Sequence, residues 1–238
     1  MLLTSARSAR DVLAMARGTL APAEGGNRLL PLLASGRAPR SVFATIAAEE
    51  TRIVHSDWRS FLTVAGRCAE PHSRRLFSAL ADGEALALSR LAALRTAIGM
   101  SPAMLRAYQP KAGCQAYPAY VAWLCLYAEP ADVIVALLAN FAAWGGYCGA
   151  VAAAMREQYG FDDEACGFFD FFAAPAPDIE DLAADALQAG IDAGRDSEEA
   201  FIYGRLFQSY ELMFWNTVAD ECAPDLVDAD ARALTSLA

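Results

Sequence analysis

Histidine and lysine are nearly missing from this chain: its 238 residues hold two histidines, His55 and His72, and a single lysine, Lys111. Without histidine most nitrogen ligands of a protein metal centre are gone, so no metal and no cofactor is expected. Basic residues are also outnumbered, 19 against 29 acidic, for a net charge of −10. A nucleic-acid surface wants a basic stripe, and direct contact with DNA is therefore not expected. Valine and isoleucine total only 17 against 52 alanines. The best helix former outnumbers these stiff strand formers threefold, which points to an all-α chain. The six cysteines contain no close pair. They read as reduced thiols of a cytoplasmic protein rather than a secreted disulfide framework. Near the amino terminus Arg7, Arg10 and Asp11 interrupt the apolar run, so a signal-peptide core is not expected.

What is abundant is apolar surface. Hydrophobic residues make up 55% of the chain, enough for a large core, and no linker or repeat divides it. A single helical domain over residues 1–238 is expected. Val133 to Met155 lacks any charge and is long enough to cross a membrane. It is nevertheless rich in alanine, contains Asn140 and three glycines, and lacks flanking basic clusters. The central helix of a bundle has the same look, so no membrane span is expected.

Helical spacing of apolar residues marks Arg40 to Ala69 and His72 to Ile98, which should pack antiparallel, and Ala116 to Ala128 before the charge-free helix. Phe161 to Pro177 reads as a short buried helix stopped by prolines, Ile179 to Ile191 as amphipathic, and Asp196 to Glu221 as the last long helix. The sum is a bundle of about seven to nine helices.

Chemistry is sought among acids set in aromatic faces. Glu211 has Phe207 one turn before it and Phe214 and Trp215 one turn after. A buried carboxylate needs a partner. That partner is either an arginine, such as Arg52 or Arg59, or a ligand that exploits a tuned acid. Glu50 and Asp57, seven residues apart, share a helix side; Glu50 can turn inward, whereas solvent readily explains Asp57. Tyr117, Tyr120, Trp123, Trp144 and Tyr147 add rings and hydroxyls suited to a planar ligand. Gly145, Gly146 and Gly149 lie inside a helical run with no lysine after them, which suits close packing rather than phosphate binding.

From Gly36 and Phe43 through Glu50 and Arg59, Tyr120 to Trp123, Trp144, Tyr147, and Tyr210-Glu211-Leu212-Met213-Phe214-Trp215, the pattern resembles the TenA/THI-4 family over about residues 30–220. That family, which includes thiaminase II, has the heme-oxygenase-like helical fold. The resemblance implies a central pocket for a small planar or heterocyclic molecule and association into dimers or tetramers. It puts the family's catalytic glutamate on Glu211 and its acidic helix residue, usually aspartate, on Glu50. Tyr120, Phe171, Phe172, Phe214 and Trp215 would line the pocket, with Asp57 a further ligand contact.

Counted without gaps from Tyr120, the family's cysteine nucleophile falls on Ala143, with the tyrosine one turn later on Tyr147. A methyl group has no lone pair, so displacement by a thiolate is not expected. A hydrolase-type reaction through a carboxylate-activated water remains, as does an inactive regulator or assembly protein of the same fold. The His-x3-Asp-x2-His pattern of related di-iron proteins falls on Ala174, Asp178 and Asp181, which keeps the aspartate and lacks both histidines.

Overall fold

The computed structural model describes residues 8–195 and 199–222, and within these every regular element is an α-helix. There are ten: α1 (Ala9–Thr19), α2 (Leu29–Ala34), α3 (Val42–Arg67), α4 (Pro71–Ala97), α5 (Pro102–Ala107), α6 (Ala112–Tyr127), α7 (Pro130–Tyr159), α8 (Asp163–Ala173), α9 (Pro177–Asp192) and α10 (Ala200–Glu221). Seven correspond to the segments read from apolar spacing. The short α1, α2 and α5 were not among them: α2 and α5 have six residues each, too few to display a helical period, and α1 has eleven. Residues 196–198, the expected opening of the last helix, lie outside the described residues.

Proline and polar caps account for most starts. Pro71, Pro102, Pro130 and Pro177 each sit in the first turn, where the missing N–H costs nothing. Ser8 and Asp11 form a reciprocal capping box on α1, and Asp162 caps α8. Gly160 ends α7 in the left-handed conformation, at φ 65°.

Helices α3 and α4 run antiparallel, joined by a tight connection and tied near their far ends by Arg95 donating to Thr51 Oγ1 at 3.0 Å. Helix α10 lies against α6 and α7, and α8 bridges α7 to α4. The charge-free α7 is the central helix: residues 131–140 are all buried, and half of its most apolar window is inside the protein. Arg156 then pairs with Asp163 at 2.8 Å and Asp170 at 2.6 Å, pinning α8 along the second half of α7. The core divides into two clusters, one around α1, α9 and the start of α7, the other around α2, α8 and the end of α7. Tyr117 touches both, and a cavity opens beside it.

Candidate functional site

The cavity measures about 950 Å³ and is walled by α3, α4, α6, α7, α8 and α10, with Arg17 of α1 and Ile179 and Glu180 of α9 at its edge. Glu211 reaches it from α10 yet is only 1% exposed. Its carboxyl is held from behind: Trp215 Nε1 donates to Oε1 at 3.2 Å, and the Asn140 amide donates to Oε2. Asn140 also donates to Gln208 Oε1 at 3.2 Å, while its own oxygen finds no partner. Burial raises the Glu211 pKa to about 7, against the lowering effect of the Asn140 and Trp215 hydrogen bonds.

No arginine pairs with Glu211 among the described residues. Arg52 and Arg59 instead face away, lining a surface cleft with His55 and Arg106.

From α3, Glu50 and Asp57 line the same cavity and are 1% and 4% exposed. Solvent therefore does not explain Asp57, whose position two turns beyond Glu50 keeps it on the inward face. Glu50 Oε1 and Asp57 Oδ1 have no hydrogen-bond partner. Burial holds both acids well above the ordinary range, and the charges of Asp57, Glu49 and Glu211 add to the effect on Glu50. Phe171, Phe172 and Phe214 supply aromatic wall, joined by Trp144, whose ring lies 5.7 Å from Phe172 and 6.5 Å from Phe214.

The remaining candidates lie off the cavity wall. Tyr120 packs among Tyr210, Trp123 and Phe207, at 5.0, 5.9 and 6.4 Å, its hydroxyl buried without a partner. Tyr147 meets the Trp215 ring edge-on at 5.9 Å, and Trp215 itself is wholly buried behind Glu211. Ala143 is part-exposed and does not line the cavity. One turn earlier on α6, Tyr117 lines the cavity where Tyr120 does not, and one turn earlier on α7, Asn140 is buried against Glu211 where Ala143 is part-exposed.

Tyr117 lines the cavity, and its hydroxyl titrates well above its usual range through burial and then the charges of Asp57, Glu211, Glu84 and Glu50. It is the group that senses all four acids. Glu84, from α4, was not anticipated, although it stands four residues from both Leu80 and Leu88 on the apolar stripe of that helix. An acid on such a stripe is the signal that could have found it. Burial and then the charges of Asp57 and Glu50 push it well above the usual carboxyl range.

No cysteine lines the cavity among the described residues. Cys148 is fully buried, and burial with the charges of Glu50 and Glu211 drives its thiol well above the normal range. Cys114 is likewise buried and raised. Such thiols are poor nucleophiles. Among the described residues no three His, Cys, Asp or Glu side chains are grouped to hold a metal ion. Asp181 is an exposed partner of Arg10 at 2.6 Å, and Ala174 lies on the cavity wall.

This helical arrangement is the heme-oxygenase-like fold. A crystallised domain of unknown function with that fold from Shewanella denitrificans superposes with a TM-score of 0.66 at 13% identity, covering 89% of this chain and 90% of its own. A TenA family transcription regulator from a Silicibacter species gives 0.63 at 17% identity, covering 87% and 96%. A TenA homologue from P. horikoshii gives 0.61 at 14%, covering 88% and 95%. Curated proteins yield no match. The TENA/THI-4/PQQC family model matches residues 29–193, and the chain belongs to that family.

Proposed function

We propose that this TenA-family protein encloses a small, planar, amine-bearing molecule in its central cavity, with Glu211 and Glu50 as polar anchors and Trp144, Phe172 and Phe214 as walls. The observation that carries this reading is a buried acid with no protein cation. Glu211 is braced by Asn140 and Trp215 but lacks a salt bridge, and Glu50 Oε1 lacks any partner. Leaving such groups unsatisfied is costly, and an amine with several N–H donors would satisfy both.

The chemistry open to the site is proton transfer. An acid with a pKa of about 7 exchanges its proton near neutrality, as a general acid or base on a bound water or amine requires. Covalent attack by sulfur has no support. Carrying the resemblance over through Tyr117 instead of Tyr120 moves the family's cysteine position from Ala143 to Asn140 and its tyrosine position from Tyr147 to Trp144. In either register no thiol stands there. A regulator that binds without turnover shares this feature, and activity separates the two readings.

The test is calorimetric titration with a simple aminopyrimidine, followed by an assay for its hydrolysis. Binding by the natural protein that weakens about tenfold or more in Glu211→Gln supports the proposal. Equal affinity in that variant removes Glu211 from the site. Release of ammonia that Glu211→Gln abolishes identifies a hydrolase; binding without release identifies the non-catalytic form.

A further inference from the structure

We propose that the cavity holds a second amine subsite, formed by Asp57 and Glu84, so that its ligand is an elongated molecule with a basic nitrogen at each end. This rests on the reading of Glu50 and Glu211 as the first amine anchor and extends it to the class of ligand.

Three observations carry it. The first is an unanswered acid. Asp57 is 4% exposed, lines the cavity, and has an oxygen without a hydrogen-bond partner. Glu84, across from it on α4, lines the same space and lies near enough for the Asp57 charge to disfavour its ionisation. Two acids so placed cannot both ionise comfortably without a cation between them. The second is the absence of an internal one. Arg17 is the sole basic residue among the described lining residues; its Nη2 donates to Glu180 at 2.9 Å, while its Nε is buried without a hydrogen-bond partner. An alkylammonium group, with three N–H donors, can serve both acids at once.

The third is spacing. Asp57 follows Glu50 by seven positions, a backbone rise of about 10 Å along α3 on the same face. A lone ring at the Glu211 end cannot span that distance. The cavity volume of about 950 Å³ is also near the top of the range for small-molecule sites, so a ring would leave the Asp57 end unfilled. Phe61, Leu138 and Phe141 on the wall offer apolar contact for a connecting chain. The ligand class is therefore an amine-bearing head joined through an apolar spacer to a terminal ammonium.

The full chain is titrated at pH 8 with octane-α,ω-diamine, propane-α,ω-diamine and octylamine, and with the aminopyrimidine used for the first anchor. The long diamine should bind about tenfold or more tightly than either the short diamine or the monoamine. In Asp57→Asn and in Glu84→Gln the advantage of the long diamine over octylamine should fall to about onefold. Where Asp57→Asn does not fold, the more exposed Glu84→Gln carries the same comparison. A long diamine no tighter than octylamine, or an advantage that survives both substitutions, overturns the second subsite. If the aminopyrimidine still binds in that case, the first anchor stands alone; if nothing binds, both assignments fall.

Discussion

Glu49 and Glu50 are chain neighbours, both buried, and opposite in their bonding. Glu49 accepts from the Tyr108 hydroxyl at 2.7 Å, the Lys111 backbone N–H at 2.7 Å and the Gln115 amide at 2.5 Å, fastening the start of α6 to α3. Glu50, turned about a hundred degrees round the helix, looks into the cavity with an oxygen that nothing answers. The first acid is structural. The second has the marks of a group kept for a ligand at some expense in stability.

Substitution should separate these roles. Glu49→Gln converts a fully used acceptor into one that places an amide against donors, and should destabilise the protein by about 1–3 kcal/mol in urea unfolding. Glu50→Gln replaces an acid whose ionised form the fold does not solvate, and should stabilise the ligand-free protein by roughly 0.5–2 kcal/mol at a pH where Glu50 ionises, while weakening ligand binding. Equal losses of stability in the two variants would contradict the division.

Stability should fall as the solution becomes less acidic. Glu211 has a folded pKa of about 7 against a reference of 4.5. The folded state thus holds the proton more tightly, and stability from this group is complete below pH 4.5 and is lost as pH rises towards 7. The full effect is roughly 3 kcal/mol. Glu50 and Asp57, also raised, act with the same sign. Thermal melts should show Tm decreasing from pH 5 to pH 7.5, with a shallower decrease in Glu211→Gln. An identical slope in the variant would remove Glu211 as a source of the pH dependence.

Asn140 sets where that proton leaves. Its amide donates to Glu211 Oε2 and so favours the ionised carboxylate. Asn140→Leu should move the Glu211 titration above about 7, read from the infrared carbonyl band of the protonated acid, with Glu211→Gln identifying the band. A band that titrates at or below its former pH would contradict the assigned donor.

Much of this fold was legible because its long helices display several turns of apolar periodicity. The central helix was recognisable from alanine and glycine in a charge-free run, and α3 and α4 from their stripes and the tight link between them. Rotation was harder. Tyr117 and Tyr120 differ by 60° about the helix axis, as do Asn140 and Ala143, and spacing alone does not say which of each pair turns inward. Only packing against α10 decides it, by bringing Asn140 to Glu211. Asp57 looked like a solvated acid because an isolated helix cannot reveal that α4 covers it. Glu84 carried a readable cue, its place between Leu80 and Leu88, but one acid on an apolar stripe becomes meaningful only when a second faces it.

Glycine at 145 should prove necessary to the cavity, and glycine at 146 should not. A Cβ at Gly145 would stand 2.9 Å from the backbone oxygen of Phe172, too close for contact and against an atom no rotamer can move. The carboxyl end of α8 would have to withdraw. Arg156 resists that withdrawal through Asp163 and Asp170, so the strain falls on the two phenylalanines that line the cavity. Gly145→Ala should therefore destabilise by about 1–3 kcal/mol and weaken ligand binding as Phe171 and Phe172 shift. At Gly146 a Cβ meets nothing within 4 Å. There the helix preference for alanine acts alone, and Gly146→Ala should stabilise by up to about 1 kcal/mol. Urea unfolding of both variants checks this pair, since intrinsic helix propensity moves them together and only the contact with α8 drives them apart.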